Sequence, residues 1–279
     1  MGAFGSHLHA PLHFSRLTTA AECRDACPLL LEWEESTNVM YPLGKDKKFS
    51  ISHGKDYFAF FRRLGALHYF LTFQENKDDS EERALIGTGA AIKRRFGNHR
   101  FYYLCDLKTH PKARGQRLTT RLLMHWLPTY KHNMTGYLVS MDPSSIGVES
   151  IFASVLSISK GPKLLIYHID ALDMFFVQAL FLEDAWGKIS YLSLKGKKDL
   201  LLDGKEPMPI YHLQHGPFAE HTDLMYPTVL KAKYMFAVIQ GSKLAKNVEL
   251  LLKKSTITAT VISRGMEWSN WNWILTSDI

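Results

Sequence analysis

The chain has 279 residues, of which 46% are hydrophobic and 22% are charged, and its formal net charge is +7. This balance excludes an intrinsically disordered protein and predicts a globular chain long enough for one large domain or two ordinary ones. No stretch approaches the roughly 18 apolar residues of a membrane span. The first residues lack the basic and apolar regions of a signal peptide, so neither segment is expected.

The cysteines and the basic residues indicate the environment and the partners. Cys23, Cys27 and Cys105 cannot all pair and form no Cys-x-x-Cys motif, which favours a reducing, cytoplasmic location. The positive charge favours anionic partners. Because the basic residues are scattered in short clusters without an interleaved aromatic ladder, a nucleic-acid-binding module is not expected.

The hydrophobic pattern of the first 170 residues predicts alternating strands and helices. In chain order they are a strand at 13–17, helices at 20–33 and 56–64, strands at 68–74, 84–93 and 101–107, a helix at 116–128, a strand at 137–141, a helix from residue 144 and a strand at 163–169. Thr18 or Thr19 is expected to cap the first helix.

The remaining residues, 171–279, are too many for a tail and predict a second α/β unit. We expect a strand within 199–218, strands at 235–240, 256–263 and 271–275, and an amphipathic helix at 242–254. Such a unit would border a substrate cleft or mediate dimerisation.

The most informative segment begins at the end of the strand at 101–107 and reads DLKTHPKARGQRLTTRLL. Here a strand leads to an Arg114-Gly115 turn that opens a helix. The first N–H groups of a helix have no partner within the helix, and they lie at the positive end of its dipole. This position therefore suits a pyrophosphate group.

This segment resembles the coenzyme A motif of the GCN5-related N-acetyltransferase (GNAT) superfamily, D-L-x-V-x-P-x-x-R-G-x-G-x-G. The matching residues are Asp106, Leu107, Pro111, Arg114 and Gly115. Arg117 and Thr119 stand where the family has glycines, and a Cβ at these positions indicates a modified or weakened pyrophosphate site. The Arg117 guanidinium offsets this by pairing with phosphate.

The resemblance implies an α/β fold of the GNAT type, a mixed sheet flanked by helices, for residues 1–170. It leaves two possibilities open for the smaller domain at 171–279: a degenerate GNAT repeat or an unrelated α/β cap. The implied activity is N-acyl transfer from an acyl-CoA, by default acetyl-CoA, through direct attack of an amine on the thioester. The acceptor is a small-molecule or peptide amine that the sequence does not identify, and a homodimer is compatible with this reading.

The resemblance also implies which residues bind the cofactor. In the family, two splayed central strands hold the pantetheine arm through backbone groups, and by position Leu107 and Thr109 would do so here, with Lys108 between them. The residues that would bind the pyrophosphate are Arg114, Gly115, Gln116, Arg117, Leu118 and Thr119.

The catalytic residues are poorly marked. Asp106 is the candidate general base, acting through water, although an aspartate that ends a strand is as often a turn or cap residue. Tyr167 is the nearest later tyrosine to the position of the family's general acid, but a packing role explains it equally well.

Other chemistries find little support. His212, His215 and His221 are close in sequence, but Gly216-Pro217 interrupts the helical spacing of a zinc site, so no metal is expected. Two alternatives to an enzyme remain open. One is an inactive GNAT-like module that binds acyl-CoA or a protein partner, and the other is an interaction domain without a cofactor.

Overall fold

The computed structural model describes residues 11–37, 41–43, 47–75, 83–114, 117–126, 135–141, 158–192, 199–202, 209–252, 255 and 257–278. Within these ranges a ten-stranded mixed sheet is flanked by helices, and a three-stranded antiparallel sheet accompanies it. The predicted fold class, a mixed α/β sheet flanked by helices, is confirmed.

Among the described residues, the predicted elements of the first half occur in the predicted order. The elements of this half are β1 (Leu12–Leu17), α1 (Ala20–Thr37), β2 (Tyr41–Leu43), β3 (Lys47–Ser52), α2 (Ala59–Leu64), β4 (Ala66–Glu75), β5 (Arg83–Phe96), β6 (His99–Thr109), α3 (Leu118–Trp126), β7 (Gly136–Ser140) and β8 (Ser159–Ile169). The hairpin of β2 and β3 is an addition that the sequence pattern did not predict. The helix predicted from residue 144 lies outside the described residues.

Thr19 rather than Thr18 caps α1. The Glu22 N–H donates to Thr19 Oγ1 at 3.2 Å, and the Glu22 carboxylate accepts from the backbone N–H groups of Thr18 and Thr19, each at 2.8 Å. These reciprocal bonds form a capping box. The helix continues through Pro28 to Thr37, beyond its predicted end.

In the second half, the structure confirms a strand within 199–218, the strands predicted at 235–240 and 256–263 and the helix predicted at 242–254, with small changes of boundary, and it contains further elements that were not foreseen. In chain order it has α4 (Ala171–Phe181), β9 (Ile189–Leu192), β10 (Asp199–Leu202), β11 (Ile210–His215), β12 (Lys233–Ile239), α5 (Lys243–Leu251) and β13 (Ile257–Arg264). The prediction missed α4 because this helix is apolar on nearly every side and lacks a 3.6-residue period.

The strand predicted at 271–275 is wrong. Trp271 has a φ of 62°, which no strand residue adopts, and the segment leads into a 3₁₀ turn at Thr276–Asp278. Trp271 and Trp273 nevertheless both contact Tyr137 in the core. Two tryptophans at a spacing of two residues thus share a packing site without forming a strand.

The order of strands in the large sheet is β1-β4-β5-β6-β7-β13-β8-β12-β11-β9. The last strand of the chain, β13, lies between β7 and β8 and is antiparallel to both. Strands that precede residue 170 in the sequence and strands that follow it therefore belong to one sheet, with β13 between β7 and β8. The predicted domain boundary at residue 170 stays a prediction.

Outward from the central pair β13 and β8, the two sides of the sheet show the same arrangement of parallel and antiparallel strands. On one side lie β7, β6 and β5, and on the other lie β12, β11 and β9. Each side has one parallel pair, β6 with β7 and β11 with β12. Two related halves would give this order if each contributed its last strand to the other.

Helices cover both faces of the sheet. The face with α3, α4 and α5 buries one set of apolar side chains, and α1, α2 and the C-terminal segment bury the other. The Trp126 ring of α3 lies 4.0 Å from that of Phe70. Gly89 permits this contact, because a Cβ there would lie 2.4 Å from Trp126 Cη2.

A buried ion pair fixes the C-terminal segment to β5. Arg94 donates to Asp278 Oδ1 at 2.6 Å and to the Tyr137 hydroxyl at 2.7 Å. Burial disfavours the charge of Arg94, but Asp278 outweighs this effect and raises the pKa of the guanidinium further. Among the described helices, none has the length and apolarity needed to cross a bilayer.

Candidate functional site

The parallel strands β6 and β7 separate at the centre of the sheet. Their register pairs Tyr102 with Gly136 and ends at Leu104 with Leu138. Beyond that point β6 continues to Thr109 and β7 to Ser140. Within the described part of the chain, the ladder between β6 and β7 therefore ends at Leu104, which leaves a gap between the two strands. We call this gap the first opening.

A β-bulge lies on β6 beside the first opening. Thr88 pairs with Lys108 and Ala90 with Cys105, so two residues of β6, Asp106 and Leu107, stand opposite one residue of β5. Asp106 has a φ of 51°, in the left-handed region that aspartate tolerates better than most residues. Thr88 Oγ1 donates to the carbonyl oxygen of Asp106 at 3.1 Å. Bulges of this kind redirect side chains next to active sites.

The bulge sends its two side chains to opposite faces of the sheet. Leu107 packs into the cluster beneath α3. The carboxylate of Asp106 points to the face covered by α1 and α2, where Tyr69 belongs to the core. The Asp106 carboxylate therefore lies on the face of the sheet opposite to α3.

Asp106 is saturated with hydrogen-bond donors. Its Oδ2 accepts from the hydroxyls of Tyr57 at 2.8 Å and Tyr69 at 2.5 Å, and Lys108 Nζ lies 2.8 Å from Oδ1. Burial would raise the pKa of Asp106, but the charge of Lys108 and the hydrogen bonds from Lys108 and Tyr69 hold this pKa well below its usual range. Asp106 is therefore an ionised group whose carboxylate has little basicity to offer.

Glu34 of α1 connects this cluster to a histidine. Glu34 Oε1 lies 2.5 Å from His53 Nδ1 and 3.7 Å from Lys108 Nζ, and Oε2 accepts from the His53 backbone N–H at 3.1 Å. Burial lowers the pKa of His53, although the hydrogen bond to Glu34 opposes the shift. A neutral imidazole facing a carboxylate carries its proton on Nδ1, which leaves the lone pair of Nε2 as a proton acceptor.

The turn after β6 prepares the start of α3. His110 Nδ1 accepts from the Lys112 N–H at 3.2 Å, within a 3₁₀ turn that ends at Arg114. The Arg117 carbonyl accepts from the Arg121 N–H at 3.0 Å, so α3 begins directly after Arg117. The first N–H groups of α3, including those of Leu118 and Thr119, consequently have no partner within the helix. Gly115 and Gln116 lie outside the described residues.

Arg117 adopts a backbone conformation that glycine reaches most easily. Its φ is 52°, in the left-handed region. A residue with a Cβ is less stable there by about 1–2 kcal/mol, so the turn keeps its shape at some cost in stability. Leu118 is buried against Ile86 and Ala113, and it can therefore offer a ligand only its backbone. Thr119 is a half-buried residue within the first turn of α3.

The structure brings the motif residues together but not Tyr167. Residues 106–109 and the start of α3 lie at the same end of the first opening. Tyr167 lies on β8, three strand positions from β6, which corresponds to about 14 Å. Its ring stacks on Phe236 at 5.0 Å within the cluster beneath α4 and α5, and burial raises its pKa. Its catalytic role stays a prediction.

Four residues of the cluster around Asp106 were not anticipated from the sequence: Glu34, His53, Tyr57 and Tyr69. They come from α1, the segment after β3, the start of α2 and β4. No short spacing links them, so a motif search cannot find them. The sequence contains only a weak indication of this cluster, namely a residue with a hydroxyl group, Tyr69, within the mostly apolar strand β4.

The second parallel pair also separates. The register of β11 and β12 ends at His212 with Met235, while β11 continues to His215 and β12 to Ile239. The C-terminal segment lies at this second opening. Thr276 Oγ1 donates to the Met235 carbonyl at 3.0 Å, and Gln214 Nε2 donates to Ser277 Oγ at 3.1 Å.

The histidines near the second opening are packed into the core. Burial lowers the pKa of His215 to about 4, despite a hydrogen bond with the backbone of Ile274. His212 is buried next to the ring of Phe60, whereas His221 is exposed. Within the ranges that the structure describes, no three His, Cys, Asp or Glu side chains converge as metal ligands would.

Comparisons with known proteins give weak similarities. No protein-family model matches the chain. A curated uncharacterized protein of Acanthamoeba polyphaga mimivirus is 28% identical over 247 residues, which cover 80% of this chain and 68% of that protein.

Several solved structures of acetyltransferases resemble the fold. A candidate acetyltransferase of Pyrococcus horikoshii gives a TM-score of 0.49 at 12% identity, covering 91% of this chain and 89% of its own. A tandem GNAT protein from the clavulanic acid biosynthesis pathway gives 0.47 at 12% identity, covering 91% and 98%. Both scores are below 0.5, so the fold of this chain is described from its own strand order.

Proposed function

We propose that this chain is an acyl-CoA-dependent N-acyltransferase, with acetyl-CoA as the default donor and an amine as the acceptor. The observation that supports this most strongly is the first opening, where β6 leaves β7 at a β-bulge and leads directly into the turn before α3. Where the ladder between adjacent parallel strands ends, an extended ligand can lie between them and bond to the strand backbone. The three free cysteines are compatible with a cytoplasmic location, which we propose on that ground.

The residues around the first opening fit coenzyme A. The backbone groups of Leu107 and Thr109 would hold the pantetheine arm, and the first N–H groups of α3 would hold the pyrophosphate. Arg114 and Arg117 would supply the positive charge. The thioester of acyl-CoA provides the acyl group, and its position at the bulge would set it beside the cluster around Asp106.

We propose that Asp106 holds the site in place and that His53 takes up the proton. The Asp106 carboxylate already accepts from two tyrosine hydroxyls and lies against Lys108, so it is a poor base. Glu34 lies between Lys108 and His53, at 3.7 Å and 2.5 Å. Glu34 would hold the proton on Nδ1 of His53, and the lone pair of Nε2 would take up the proton that the acceptor amine releases.

One observation favours a second candidate function, an inactive module that binds acyl-CoA. The occupied carboxylate of Asp106 leaves the motif strand without an available base. In that reading the first opening still binds coenzyme A, but no acyl transfer occurs. Binding and turnover must therefore be measured separately.

Binding is tested by the shift in unfolding temperature with acetyl-CoA, coenzyme A and a UTP control. A ligand at about one hundred times its Kd adds roughly 2.7 kcal/mol to the free energy of unfolding. Arg114→Glu should abolish the shift, and the exposed Lys93→Glu, which makes the same change of charge on β5, should retain it. If wild-type protein shows no shift with acetyl-CoA at saturating concentration, both candidate functions are wrong.

Turnover is tested by thiol release from acetyl-CoA in the presence of spermidine, glucosamine and lysine-containing peptides. We expect His53→Gln to lower kcat and to remove the acidic limb of its pH profile, while the acetyl-CoA thermal shift is preserved. A wild-type protein that binds acetyl-CoA and acylates none of these amines would favour the inactive module. Turnover that is unchanged in His53→Gln would contradict the proposed role of His53.

A further inference from the structure

Helix α4 carries an apolar face that the described part of the chain does not cover. Its buried side holds Met174, Val177 and Phe181. The opposite side exposes Leu172 (71%), Phe175 (55%), Phe176 (63%) and, in the next turn of the chain, Leu182 (47%). These four residues, at helical spacing, form the α4 stripe. Contiguous apolar patches of this kind on soluble proteins mark interaction sites.

The charged residues of the segment that carries the α4 stripe are all acidic, and one of them, Asp170 at the start of α4, is paired with Lys233. The segment 170–186 contains no lysine or arginine, although the whole chain has a net charge of +7. Asp173, Glu183 and Asp184 are exposed next to the stripe. An anionic membrane surface would repel these carboxylates, so the stripe suits a basic, apolar protein surface better than a lipid headgroup layer.

Such a surface exists on the neighbouring helix of the same chain. Helices α4 and α5 pack side by side over one core cluster. On α5, Leu250 and Leu251 are 86% and 51% exposed, and Lys243 and Lys246 are exposed as well. The chain therefore carries an acidic apolar helix and a basic apolar helix next to each other.

We propose that the chain forms a homodimer through the layer of α4 and α5. A two-fold axis that runs parallel to the two helices, midway between them and just above their exposed faces, places α4 of each protomer on α5 of the other. The α4 stripe would then cover Leu250 and Leu251 of the second copy, and the acidic groups of α4 would face the lysines of α5. A two-fold interface requires both complementary surfaces on one chain, and this layer supplies them.

The first test is the oligomeric state of the full chain, by light scattering after size exclusion and by sedimentation velocity over a concentration series. We expect a dimer, and we expect Phe176→Glu to raise its Kd at least ~30-fold. Leu29→Glu is the matched control, because Leu29 is a partly exposed leucine of α1 on the other face of the sheet. A monomer at every concentration, or a dimer that Phe176→Glu leaves intact, would overturn the proposal.

The second test is a charge exchange between the two helices. One variant changes Asp173, Glu183 and Asp184 to lysine, and the other changes Lys243 and Lys246 to glutamate. Each variant alone should be monomeric, since α4 and the facing α5 then carry like charges, and an equimolar mixture should form a heterodimer. Failure of the mixture to associate would exclude the pairing of α4 with α5. Flotation of monomeric wild-type protein with phosphatidylcholine–phosphatidylserine vesicles would instead identify lipid as the occupant.

Discussion

Replacing Asp106 with asparagine tests whether the buried ion pair at the bulge holds the candidate site together. The carboxylate lies 2.8 Å from Lys108 Nζ, and the two side chains are only 5% and 10% exposed. Removing one partner of a buried ion pair costs about 3–5 kcal/mol, because the other charge is left uncompensated. Glu34 remains 3.7 Å from Lys108 and offsets part of this loss. We therefore expect a destabilisation of about 3 kcal/mol, at the lower end of that range.

The assay is equilibrium unfolding in urea, combined with a double-mutant cycle that uses Lys108→Met. For a chain of this size, about 3 kcal/mol corresponds to a fall in Tm of roughly 6–12 °C. The double variant removes both charges, so it should be less destabilised than the sum of the single variants by at least about 1 kcal/mol. Asp56→Asn, which breaks an exposed pair with Arg62, serves as the control and should cost less than about 1 kcal/mol. Additive single variants, with Asp106→Asn no worse than the control, would refute the buried pair.

Three further predictions concern the helix α3 contact, the turn before α3 and the acid sensitivity of the core. Gly89→Ala should destabilise by about 1–3 kcal/mol, measured in urea, because the new Cβ displaces Trp126, and it should also weaken acetyl-CoA binding through the shift of α3. Arg117→Gly should change the free energy of unfolding by less than about 1 kcal/mol, because relief of the left-handed strain is offset by the greater conformational entropy that glycine gives the unfolded chain. Calorimetry should nevertheless show weaker acetyl-CoA binding, because the guanidinium proposed to pair with phosphate is lost. His215 has a folded pKa of about 4 against 6.5 when unfolded, so its contribution is present above pH 6.5 and is lost on acidification towards pH 4. At about 1.4 kcal/mol per pKa unit the loss is about 3 kcal/mol, and unfolding curves of His215→Gln should show a smaller dependence on pH.

The sequence was informative where a structural feature depends on neighbouring residues. The strand, turn and helix over residues 99–126 were predicted within a few residues, because a β-prone run, an Arg-Gly turn and a helical apolar face succeed one another directly. The motif also indicated that Arg117 stands where the family has a glycine, and Arg117 has a left-handed φ of 52°.

The cluster around Asp106 could not be predicted because its members are far apart in the chain. Glu34, His53 and Tyr69 meet Asp106 only after α1, β4 and β6 have packed together. The bulge matters as well, because in a regular strand Asp106 would point to the same face as Leu104, towards α3. A shift of one residue in one strand therefore decided what the carboxylate touches, and neither composition nor spacing encodes that shift in a recognisable form.

The two halves of the sheet show that strand order alone does not make a site. Each half has a parallel pair that separates after three residue pairs. After β6 the chain turns into α3, whose first N–H groups have no partner within the helix, and the bulge supplies charged groups on β6. After β11 it makes only the short 3₁₀ turn Gly216–Phe218, and Thr276 and Ser277 bond to the strands at the second opening. The two openings thus differ in the segment that leaves the inner strand, and for this reason we assign the chemistry to the first opening.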